Sequence, residues 1–117
     1  MSFEKMQRSS GFRIPSDQIG MARNSGGQTV IRIPAQVATI LNGRATAYLG
    51  QDDDAGLLKL VCDSAGALKT THYKGDRSHY INMGKTYRPN TSEKHRMATV
   101  GFSTDSDSIT IRTPDWF

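Results

Sequence analysis

Apolar residues in this chain alternate with polar ones in short runs bounded by Gly, Pro, Asn and Asp, a spacing that predicts strands. The first clear run is Thr29-Val30-Ile31-Arg32-Ile33, β-branched with one charge and stopped by Pro34. Proline cannot donate to a strand ladder, but it suits the first turn of a helix. Ala35–Leu41 then carries Val37, Ile40 and Leu41 at i, i+3 and i+4, which is one apolar helical face. Asn42-Gly43 supplies a stop that tolerates left-handed backbone. A strand over Arg44–Leu49, a polar turn over 50–56 and a strand over Leu57–Cys62 complete a unit of strand, short helix and hairpin.

Further on, 67–73 and 79–83 are candidate strands about the turn Lys74-Gly75-Asp76, and 84–94 reads as a long polar loop. A hairpin is expected from 96–102 and 108–113, joined by 103–107, with Ile109 and Ile111 on one face and Thr110 and Arg112 on the other. Residues 1–27 show little period and contain Ser9-Ser10-Gly11 and Ser25-Gly26-Gly27. They are expected to form a flexible arm ahead of a single β-rich domain at 28–117. The fold class that follows is mainly β: a small antiparallel sheet or barrel-like domain with one short helix at about residues 35–41.

Composition sharpens this picture. Leu, Ile, Val and Phe total 22 of 117 residues, a thin stock for one domain. Net charge is only +4, too little for self-repulsion to keep the chain unfolded. A compact core with loose ends, or a core completed by a second copy in a homodimer, fits both numbers. The single cysteine, Cys62, permits no internal disulfide and sits in an apolar run, where it reads as a small buried hydrophobe. No apolar leader follows Met1, and no run approaches the ~20 residues that span a bilayer. A cytoplasmic setting without membrane contact is expected. The closing Trp116-Phe117 must leave water, either by closing the core or by docking on a partner, and core closure is the expectation.

Residues 28–62 carry a resemblance. Ile33-Pro34, the helix at 35–41, the strand at 44–49, the Asp- and Gly-containing turn at 52–56 and the strand at 57–62 resemble the swapped-hairpin family of AbrB-type transition-state regulators and MazE-type antitoxins. That resemblance implies a dimer of interleaved hairpins and DNA binding through basic residues.

Chemistry concentrates in the third quarter of the chain. Residues 67–98 hold seven Lys and Arg against Asp76 and Glu93, together with all three histidines (His72, His79 and His95). Lys74, Arg77, Lys85 and Arg88 are placed to neutralise phosphates, and Tyr73, Tyr80 and Tyr87 to stack on bases. The alternative is that the tyrosines pack within a sheet while the charges form a solvated face. Basic groups of the arm, Lys5, Arg8, Arg13 and Arg23, would add phosphate contacts.

The run Asp52-Asp53-Asp54 fails as a calcium loop, because its fifth position is Gly56 and its twelfth is Asp63. It reads as turn chemistry, as do Asp105 and Asp107. No metal and no cofactor are expected. His72 and His79 could meet across a hairpin as a nuclease would require, but no recognised catalytic motif accompanies them. The expectation is therefore a non-catalytic nucleic-acid-binding protein, DNA favoured over RNA, of the kind that serves as a bacterial or phage regulator or accessory protein. The alternative is a protein-interaction module, such as a small phage inhibitor or an antitoxin-like partner of a host protein, with affinity carried by Trp116 and Phe117.

Overall fold

A computed structural model of the protein describes residues 18–23, 28–72, 78–84 and 97–117. Its strands are β1 (Ile19–Arg23), β2 (Thr29–Pro34), β3 (Arg44–Leu49), β4 (Leu57–Cys62), β5 (Leu68–His72), β6 (Ser78–Gly84), β7 (Met97–Val100), β8 (Phe102–Thr104) and β9 (Ser108–Arg112). One short helix, α1 (Ala35–Ala38), runs on into a 3-10 turn at Thr39–Leu41, and a second 3-10 turn spans Asp52–Asp54. All strand pairs are antiparallel, in the order β7-β1-β2-β6-β5-β3-β4-β9-β8. Among the described residues no helix is long and apolar enough to cross a membrane.

Two strands turn this sheet into a nearly closed barrel. In β5, Leu68 and Lys69 pair with β3, whereas Thr70–His72 pair with β6. The other corner lies at Gly101. β7 and β8 stand at opposite ends of the strand order yet are separated in the chain by that single residue. One stretch thus pairs with β1 in its first part and with β9 in its second, and the Arg112 amide donates to the Gly101 carbonyl at 2.9 Å. Bending the sheet back on itself leaves little edge exposed for other chains to pair with.

Period-two alternation fills the interior. Ile19 and Met21 of β1, Ile31 and Ile33 of β2, Ile81 of β6, Leu58 and Leu60 of β4, and Ile109 and Ile111 of β9 are fully buried. Each such side chain contributes about 1.5–3 kcal/mol relative to exposure. A thin apolar stock suffices because only alternate positions must be apolar. Thr110 and Arg112 take the outward face, as the alternation predicts.

The helix bridges the two halves of the barrel. α1 packs on β2 and β6, and its 3-10 continuation packs on β4 and β9. Pro34 starts it at φ −56°, and Asn42 (φ 49°) and Gly43 (φ 96°) end it in the left-handed region. Tightening to 3-10 geometry aligns residues i and i+3. Ala38 and Leu41 therefore point inward, while Val37 and Ile40 of the expected apolar face are only half-buried against the core.

Several expectations are corrected. The arm expected at 1–27 supplies, in residues 19–23, a strand paired on both sides, with Arg23 only 3 % exposed. Its residues 1–17 and 24–27 lie outside the described residues. The final hairpin forms only between β8 and β9, because β7 leaves at Gly101 to pair with β1. Cys62 is half-buried rather than sealed. Trp116, 5 % exposed, belongs to the core, with Phe117 packed against it, so core closure holds and a docking role for Trp116 does not. The Arg23 guanidinium lies 5.5 Å from the Trp116 ring centroid and donates to the Trp116 carbonyl at 3.2 Å, which fastens the C-terminal segment to β1.

Candidate functional site

On the side of β1, β2 and β6 that faces away from the core, alternation presents Gly20 and Ala22, then Val30 and Arg32, then Tyr80 and Asn82. Register puts them in rows: Gly20 lies opposite Arg32, Arg32 opposite Tyr80, and Tyr80 opposite Thr71 of β5. Cross-strand neighbours on one face stand close enough for long side chains to interact. The Arg32 guanidinium carbon lies 5.7 Å from the Tyr80 ring centroid, both side chains being half-buried.

Small residues on β1 leave space beside that pair. Gly20, Ala22, Val30, Arg32 and Tyr80 line a shallow depression of about 230 Å³ with a mainly apolar floor. That is below the ~300–1,000 Å³ of pockets that enclose a drug-sized ligand. Exposed Thr71, Asn82 and Thr99 surround the depression with uncharged polar groups.

Among the described residues, the acidic ones are Asp52, Asp53, Asp54, Asp63, Asp105, Asp107 and Asp115. All lie in turns next to β3, β4, β8 and β9 or in the segment after β9. No described strand of either half holds a carboxylate; β1, β2, β5 and β6 carry Arg32, Lys69, His72 and His79 besides the buried Arg23, and β3, β4 and β9 carry Arg44, Lys59 and Arg112. Asp63 is fixed in the turn after β4. The Thr46 hydroxyl donates to it at 2.7 Å and the Ala65 amide at 2.9 Å, which holds its carboxyl below the ordinary value.

Of the residues chosen from the sequence, Tyr80 falls on this face. Tyr73, Lys74, Arg77, Lys85, Tyr87 and Arg88 lie outside the described residues, as do Lys5, Arg8, Arg13, His95 and the loop expected beyond Gly84. Arg23 is a correction, since its burial against Trp116 removes it from the set of phosphate contacts. Sequence reasoning missed Arg32, Gly20 and Ala22. The signal for Arg32 was present, because alternation in Ile31-Arg32-Ile33 turns it away from the two isoleucines; its pairing with Tyr80 was not visible.

Two other features complete the surface. His72 and His79 do meet across β5 and β6, their rings stacked at 4.8 Å between centroids and 17° between planes. Beside β3 and β4, a cleft of about 440 Å³ is lined by Tyr48, Leu49, Asp54, Leu57 and Lys59 among others, with Tyr48 56 % and Leu49 51 % exposed. Among the described residues no group of three or more His, Cys, Asp or Glu could hold a metal ion. No family model matches the chain, nor does any curated protein or solved structure.

Proposed function

We propose that this protein binds nucleic acid, DNA in preference to RNA, without acting on it chemically, through the outer face of β1, β2 and β6. The observation that carries the reading is the Arg32–Tyr80 pair beside a shallow depression on the outer face of β1, β2 and β6. A cation and an aromatic ring on one face neutralise phosphate and offer a stacking surface for a base. Lys69, on the same face of β5 as Thr71, adds a second cation to this side. The setting that accompanies this reading is a bacterial or phage regulator or accessory protein, cytoplasmic and homodimeric. The resemblance of residues 28–62 to swapped-hairpin regulators and the lone Cys62 support that setting.

The test is fluorescence anisotropy with labelled single- and double-stranded DNA and RNA at two salt concentrations. Affinity is expected to fall steeply with salt. Tyr80→Ala should weaken binding about 5- to 150-fold, the equivalent of ~1–3 kcal/mol per stacked base, while Tyr80→Phe keeps most of it. Arg32→Ala should reduce the salt slope by about one. A flat salt response, or unchanged affinity in folded Tyr80→Ala, overturns the proposal.

A second reading, a protein-interaction module, is favoured by exposed Tyr48 and Leu49 beside their cleft. It moves the interface to the cleft beside β3 and β4 and away from Trp116. Under it Tyr48→Ser abolishes capture of the partner and leaves nucleic-acid affinity untouched.

A further inference from the structure

We propose that His72 and His79 form a two-imidazole chelate for a divalent transition ion of the copper, nickel and zinc group. The two residues are direct partners in the β5–β6 register, so the backbone ladder, rather than a loop, sets their spacing. His79 is also opposite Ile33 of β2, whose side chain is fully buried. One imidazole is therefore half-buried beside the core margin, and the other is exposed to arriving ions.

The rings lie 4.8 Å apart and nearly parallel. Two nitrogens on one tetrahedral zinc, each at about 2.0–2.1 Å from the ion, stand about 3.4 Å from one another. Because imidazole lone pairs lie in the ring plane, chelation requires both side chains to turn out of the stack until one nitrogen of each faces the ion. Imidazole selects copper, nickel and zinc over magnesium and calcium, which prefer oxygen. Among the described residues no third His, Cys, Asp or Glu joins the pair, so the two imidazoles are its described ligands.

The experiment titrates the whole protein with Cu²⁺, Ni²⁺, Zn²⁺ and Mg²⁺ separately, following imidazole NMR resonances and heat of binding. The expected result is saturable uptake of one transition ion per chain, with both His72 and His79 resonances shifting together and no response to Mg²⁺. Loss of either nitrogen removes the chelate advantage, so His72→Gln and His79→Gln should each weaken binding about 100-fold. His95→Gln should leave it unchanged. Should His79→Gln fail to fold, exposed His72 carries the test. Absence of saturable binding shows that the pair only stacks and overturns the site. So does binding that survives His72→Gln but disappears in His95→Gln.

Discussion

Replacing Trp116 by alanine tests how the C-terminal segment belongs to the fold. The ring is 5 % exposed, and an aromatic of this kind buries ~150–250 Å². At ~25 cal/mol per Å² that is about 4–6 kcal/mol, an upper estimate because the unfolded chain also shields some apolar surface. Truncation of buried Phe or Trp to Ala costs about 3–5 kcal/mol in other cores. Here the change also removes the ring over which the buried Arg23 guanidinium sits at 5.5 Å, an interaction worth up to about 2 kcal/mol when shielded from water. A loss of about 4–6 kcal/mol is expected against a total of ~5–15 kcal/mol for a domain, enough to unfold much of the population. The assay is urea denaturation followed by far-ultraviolet circular dichroism, since Trp116 is the sole tryptophan and its fluorescence vanishes with it. Trp116→Phe should retain the packing and lose only about 1–2 kcal/mol. If Trp116→Ala stays within about 1 kcal/mol of the parent, the ring is not part of the core and the fastening to Arg23 is fictitious.

Two further outcomes follow from local geometry. A Cβ at Gly50 would collide with the Asp54 carbonyl oxygen, in the turn where the Gly50 amide donates to the Leu57 carbonyl at 2.8 Å. Gly50→Ala should thus cost about 1–3 kcal/mol in thermal or urea unfolding, whereas Gly101→Ala, where a Cβ meets nothing within 4 Å, should be near neutral. The third concerns Asp63, whose folded-state pKa is depressed by Thr46 and Ala65. Its contribution is complete above the unfolded carboxylate value of about 3.9 and is lost as pH falls through the lower folded value. Asp63→Asn and Thr46→Val should therefore be less stable than the parent at neutral pH, with the gap closing in acid; a gap that stays constant down to strong acid contradicts the assignment.

Local pattern made much of the barrel legible. β2, the helix and β3–β4 were readable because Pro34, Asn42-Gly43 and the Asp-rich turn punctuate alternating runs. β1 was not, because it reverses the usual polarity: Arg23 faces inward with Ile19 and Met21, while the outward residues are Gly20 and Ala22. A strand with an arginine inside and no polar residue outside gives no period-two signal. The change of partner at Gly101 was equally invisible, since 96–102 and 108–113 form a plausible hairpin by themselves and only the docking of β1 draws β7 away. At the site, Tyr80 was readable from its neighbours in sequence. The depression beside it was not, because it depends on register between β1, β2 and β6.

Closure by one bent strand also governs how the chain reaches this state. Ile19 pairs with Val100, about eighty residues further along, so β1 has no outer neighbour until β7 has been synthesised. Contacts so distant in sequence raise contact order, and barrels of this type fold in milliseconds to seconds rather than microseconds. During that interval the unpaired flank of β1 is a template for association between nascent chains. Productive assembly therefore depends on the timely arrival of a four-residue partner, Met97–Val100.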